Sequence, residues 1–149
     1  MSIAYTSRHP AQAVSYSYFP SAKALAAQVD YLVVITPGGA ATKHLVNADV
    51  LAALGPKGYL INVARGSVVD QNALIEALQK KTIAGAALDV FAEEPRVPGE
   101  LRLAQNTVLT PHIGSATQQT RKAMADLCLA NLAAYFEGKP IPALVPECA

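Results

Sequence analysis

The chain has 149 residues, 52% hydrophobic and 15% charged, with a formal net charge of +1 and two cysteines. That length suits one domain with a real core but not comfortably two, so a single compact unit is expected. A near-neutral balance without blocks of like charge excludes the electrostatic footprint of a nucleic-acid binder or of a protein held on an anionic membrane surface.

No apolar run approaches the roughly 18 to 20 residues that a spanning helix needs. The N-terminal "MSIAYTSRHP" lacks the charged, apolar and small-residue order of a signal peptide, so a soluble, cytoplasmic protein is expected. Cys128 sits within a helical pattern and Cys148 near the end, without metal-ligand spacing; two free thiols and no metal site are expected.

In chain order, "SIAYT" and "SYSYF" read as the first strands, followed by a short helix over residues 21–27. The strand "YLVVIT" comes next. Asn47 can cap the helix "ADVLAAL", and "GYLINV" returns as a strand. Asp70 is placed to cap "QNALIEALQKK", which aligns Ala73, Leu74, Ala77 and Leu78 on one stripe and carries its lysines at the C-terminal end, where the macrodipole favours them. Strands "IAGAALDVF" and "TVLTPH" follow. Thr117 opens the longest helix, "QQTRKAMADLCLANLAAYFEG", ended by Gly138 and Pro140. Residues 1–138 read as the domain and 139–149 as an extended tail.

Strands alternating with helices predict an α/β fold built on a parallel sheet. The unbroken apolar run Leu32, Val33, Val34 and Ile35 suggests burial on both faces, under helices on each side.

Open parallel sheets bind ligands beyond the carboxyl ends of their strands. The polar and turn residues fall there: Thr36, Pro37, Gly38 and Gly39 after one strand, Arg65 and Gly66 after the next, residues 89–95 after the third and 112–115 after the last. Singly, Arg65 is equally a solvated loop arginine, His112 a turn residue and Glu94 a surface carboxylate. Together they offer a planar fork for a carboxylate, a group that exchanges a proton near neutral pH, and an acid that can orient an imidazole. That set suits reduction of a 2-keto acid.

The successive stretches "TP" at Thr36 and Pro37, "HLVNADVLAAL", "INVARGSVVD", "ALDVFAEEP" and "TPHIGSAT" resemble the signatures of the D-isomer-specific 2-hydroxyacid dehydrogenases, with a leaning towards glyoxylate/hydroxypyruvate reductases. The resemblance implies a Rossmann-like nucleotide-binding fold, a small 2-keto or 2-hydroxy acid as substrate, and a homodimer. It implies that Arg65 grips the substrate carboxylate, that His112 is general acid in reduction and general base in reverse, and that Glu94, the acid immediately before Pro95, is its partner rather than Glu93. It also implies that Asp89 contacts the nicotinamide carboxamide, an aspartate at such a site being otherwise a turn or capping residue. Thr36, Pro37, Ala64, Gly114 and Ser115 match positions beside the cofactor.

Cofactor choice follows from "YTSRHP", where the strand end carries Ser7 and Arg8 instead of the acidic residue that accepts hydrogen bonds from the adenosine ribose. A guanidinium can pair twice with a 2′-phosphate, so NADP is preferred over NAD. His9 and His44 are read as surface histidines.

The glycine-rich turn G-x-G-x-x-G, the strand before it and the helix after it have no counterpart in the chain. In the order 3-2-1-4-5-6 the missing strand is central. "SIAYT" and "SYSYF" would then detach, pair directly with "YLVVIT", or borrow a strand from another chain. The alternatives to an enzyme part are a non-catalytic oligomerisation module and a truncated gene product.

Overall fold

The computed structural model describes residues 1–145. Among them Cys128 is a free, exposed thiol; the reading of Cys148 lies outside the described residues. The chain falls into two compact units, one from Met1 to Pro111 and one beginning at His112, rather than the single unit suggested by its length.

The first unit contains β1 (Ala4–Tyr5), β2 (Ser17–Tyr18), α1 (Ala22–Ala26), β3 (Tyr31–Val34), α2 (Ala48–Leu54), β4 (Tyr59–Asn62), α3 (Gln71–Gln79), β5 (Gly85–Leu88), α4 (Gly99–Leu103) and β6 (Thr107–Leu109). The second contains α5 (Gln118–Phe136). Strands β3-β4-β5-β6 form a four-stranded sheet in that order, every pairing parallel. Rossmann-like α/β architecture is thus present, as read from the alternation of strands and helices.

Of the three fates open to the first two strands, the structure shows the first: β1 and β2 pair with each other, in parallel, as a separate two-stranded sheet. They are held to the unit by side chains, since Ala4 and Phe19 pack against the same core as Leu32 and Val34. Apolar burial needs no ladder of hydrogen bonds, so a strand pair can share a core without joining the sheet.

The helices begin where side-chain caps start them. The Ser21 hydroxyl accepts from Ala24 N at 3.1 Å, Asn47 Oδ1 from Val50 N at 3.1 Å, and Asp70 Oδ1 from Asn72 N and Ala73 N, both at 3.1 Å. Each satisfies amides that lack an intrahelical partner. In the second unit Thr117 caps α5 through Thr120 N at 3.1 Å. Gly138, at φ 66°, closes that helix while Lys139 N reaches back to Ala134 O at 2.8 Å. The short α4, for which the sequence carries no start signal, follows Pro98 without a side-chain cap.

The core lies on one side of the sheet. Leu25 and Ala26 of α1, Val50, Leu51 and Leu54 of α2, and Leu74, Ala77 and Leu78 of α3 pack with Leu32, Val34, Leu60 and Leu88. Register puts Val33, Ile61, Ala87 and Val108 in one row on the opposite face. There Val33 is 53% and Val108 65% exposed, against 5% for both Leu32 and Val34. Burial on both faces, expected from the unbroken apolar run, is therefore corrected: the helices of this unit cover one face only. Stacked Tyr31 and Tyr59 rings, 5.5 Å apart, border the open face.

Candidate active site

All four strands of the main sheet run the same way, so the segments that leave their carboxyl ends emerge at one edge. After β3 come Thr36, Pro37 and Gly38; after β4, Ala64 and Arg65; after β5, Asp89.

The Arg65 turn is built by Asn62, the last residue of β4, which is 1% exposed. Its Oδ1 accepts from Ala64 N at 3.0 Å and its Nδ2 donates to Arg65 O at 3.1 Å. One buried amide thus holds the backbone on both sides of the turn, which removes the cost of burying it. Arg65 then leads into a tight 3₁₀ turn over Gly66–Val68. The exit is tied to the loop ahead of α2: His44 N donates to Ser67 O at 2.9 Å, Val46 N to Val68 O at 3.1 Å, and Asp70 N to Val46 O at 2.9 Å. The Arg65 side chain is exposed. Its Nη1 donates to Ala64 O at 2.6 Å, and the rest of its planar fork faces no acceptor among the described residues.

The second turn carries Glu94. Phe91 N donates to Glu94 Oε1 at 3.0 Å, Ala92 N to Gln71 Oε1 at 3.1 Å, and Arg96 N to Glu93 O at 2.8 Å; the Glu94–Pro95 peptide is cis. Gly66 joins the two turns. A Cβ at that position would stand 2.0 Å from Phe91 C and O, so the backbones touch where only a hydrogen fits. The structure therefore brings the segments bearing Arg65 and Glu94 together.

Asp89 is 7% exposed and follows β5 directly. Its Oδ1 accepts from Thr110 Oγ1 at 2.5 Å, and its amide donates to Asn62 O at 3.0 Å. It caps no helix, so the capping role open to it in the sequence is not the one it has. Ala64 is buried and Pro37 O accepts from Thr42 Oγ1 at 2.7 Å. Thr36 Oγ1 is shielded from solvent and has no hydrogen-bond partner.

Beyond β1, Ser7 Oγ donates to His9 O at 2.5 Å, and Arg8 is exposed with no ion pair among the described residues. His112 stands three residues after β6 and opens the second unit at φ 54°. Gly114 and Ser115 lie in the turn closed by Ala116 N on Ile113 O at 2.9 Å. His9 and His44 are exposed, as read. Among the described residues no cluster of His, Cys, Asp or Glu is arranged to hold a metal ion, and no helix is long and apolar enough to cross a membrane.

Asn62, Gln71 and Thr110 do positioning work that sequence reading did not single out. Only Asn62 left a signal, a lone amide closing an apolar strand.

Residues 1–114 match the family model for the D-isomer specific 2-hydroxyacid dehydrogenase NAD binding domain. The chain belongs to this family. It is 50% identical over 139 residues to glyoxylate/hydroxypyruvate reductase A of Arabidopsis thaliana, covering 93% of this chain and 44% of that one. With hydroxyphenylpyruvate reductase of Plectranthus scutellarioides the identity is 48% over 139 residues, at the same coverages. An NADPH-dependent glyoxylate/hydroxypyruvate reductase from Sinorhizobium meliloti, solved with NADP and malonate, superposes with a TM-score of 0.96 at 52% identity, covering 99% of this chain and 46% of that one. The chain thus spans less than half the length of the relatives it matches.

Proposed function

We propose that this chain supplies the keto-acid-gripping and nicotinamide-facing part of an NAD(P)-dependent 2-hydroxyacid dehydrogenase, one that reduces a substrate such as glyoxylate or hydroxypyruvate. The observation that carries this is the Arg65 turn: Asn62 and Gly66 fix its backbone, and apart from the Nη1 bond to Ala64 O the guanidinium fork is left open. A planar fork on a rigid turn matches a carboxylate in two parallel hydrogen bonds.

In this reading Arg65 holds the substrate carboxylate and polarises the keto oxygen. His112 gives a proton to that oxygen as it gains electrons and takes it back in the reverse direction. Glu94 orients the imidazole. The chemistry supplied by a bound nicotinamide cofactor is hydride transfer to the carbonyl carbon.

The chain's residues suit the two ends of such a cofactor. Exposed Arg8 beside Ser7 is fitted to a ribose 2′-phosphate and favours NADP over NAD. Asp89, with Thr36, Pro37, Ala64, Gly114 and Ser115, serves the nicotinamide end; the unpartnered Thr36 hydroxyl is consistent with a group still to be satisfied there. The pyrophosphate has no glycine-rich turn in this sequence. Taken alone, the chain therefore binds NADPH weakly and turns over little or not at all.

The exposed Leu127, Leu129, Leu132 and Phe136 of α5 favour association, here read as a homodimer. The working site is the cytoplasm, where NADPH and the keto acids are both soluble.

Kinetics of an enzyme completed with the preceding half of the Sinorhizobium relative test the assignment. Arg65→Ala should raise KM for glyoxylate and lower kcat together, and His112→Ala should mainly lower kcat. Unchanged kinetics in either variant would overturn that residue's role, and steady glyoxylate reduction by the 149-residue chain alone would overturn its dependence on the rest.

A further inference from the structure

The loop after β3 reaches the arginine as well as the sheet edge. A Cβ built on Gly38 would lie 2.9 Å from Arg65 Cγ, 3.2 Å from Arg65 Cβ and 3.8 Å from Ser67 Oγ. Those carbons are the root of the arginine side chain. The far end of a long side chain swings aside cheaply, but its root moves only by a change of rotamer or of backbone.

Gly38 is not needed for its backbone. The glycines at positive φ are Gly39, Gly55 and Gly138, and a Cβ on neighbouring Gly39 would meet nothing. The two adjacent glycines thus serve different ends: Gly39 makes the turn, and Gly38 leaves a slot.

We infer that Gly38 is a positioning residue for Arg65, its missing side chain leaving the slot along which the arginine stem lies. Asn62 fixes where the Arg65 backbone sits, and Gly38 selects the course its side chain takes from there. This rests on the reading of Arg65 as the carboxylate grip. A side chain at position 38 redirects the fork, and displacement on the ångström scale is enough to spoil a reacting geometry.

The structural arm of the test uses the ¹⁵N-labelled 149-residue chain and follows the Arg65 Nε–Hε resonance. Gly38→Ala should shift it, whereas Gly99→Ala, where a Cβ meets open space, should leave it in place. An unmoved resonance in Gly38→Ala, or an equal shift in Gly99→Ala, overturns the inference. Should Gly38→Ala lower Tm, adding Arg65→Ala should recover part of the loss, since it removes Cγ, the 2.9 Å contact, and keeps Cβ at 3.2 Å; a double variant as unstable as the single one also overturns it.

The kinetic arm uses the completed enzyme. Gly38→Ala should raise KM for glyoxylate about tenfold, with a smaller change in kcat, and should add nothing in an Arg65→Ala background. A shifted resonance with unchanged KM would leave the positioning of Arg65 standing and refute its role as carboxylate grip.

Discussion

The two faces of the four-stranded sheet are made from the same kind of residue and end in opposite states. On one, Leu32, Val34, Leu60 and Leu88 are closed over by α1, α2 and α3; on the other, Tyr31, Val33, Tyr59 and Val108 are open. β-branched and aromatic residues satisfy strand propensity on either face, so composition alone does not say which face is covered. Cover depends on which side the crossover helices take, and α1, α2 and α3 all pack on the Leu32 side. The Asn62 side chain belongs to the covered face and is enclosed, which allows one amide to set the Arg65 turn. The site's rigidity therefore comes from the closed side.

The sharpest way to break this contrast is Gly66→Ala, which would drive a Cβ into the Phe91 backbone. It should cost about 4 kcal/mol or abolish folding, as read by denaturant melts. Near wild-type stability would show that the two turns are not in fixed contact. Next comes Leu60→Ala, fully buried on the closed face, with an expected loss of about 2 to 5 kcal/mol. Asn62→Ala should cost about 1 to 3 kcal/mol by leaving the Ala64 amide unsatisfied and the Arg65 carbonyl with Val68 N as its one remaining donor, and in the completed enzyme should raise KM for the keto acid. A KM equal to wild type would separate the clamp from the grip. The smallest effect is expected on the open face, where Val33→Thr and Val108→Thr should stay within about 0.5 kcal/mol in the isolated chain. Losses there as large as at Leu60 would mean that the face is covered after all.

Much of the frame was legible in the sequence because its signals are local. Asn47, Asp70 and Thr117 announce helix starts through side chains that bond amides two or three residues on, and Gly138 announces a stop through a backbone that favours glycine. The apolar stripe of α3 is equally local: Leu74, Ala77 and Leu78 are buried and Ala73 is partly so.

What escaped depends on distant chain. The open face, the separate β1–β2 pair and the contact of Gly66 with Phe91 are set by which segments meet, and no residue type encodes that by itself. α4 escaped for another reason: five residues after a proline, without a capping side chain, give too little pattern to recognise. At the site, the strand-end rule located Arg65, Asp89 and Glu94 as candidates and Gly38 as a turn residue, while the holding role of Asn62 and the room made by Gly38 depend on which segments meet.

The most direct test of the carboxylate grip is a crystal structure of the completed enzyme with NADP and malonate. The account predicts one malonate carboxylate bound by both arms of the Arg65 guanidinium, with the Asn62 hydrogen bonds to Ala64 and Arg65 intact. Malonate held by other residues, with Arg65 turned away to solvent, would contradict it.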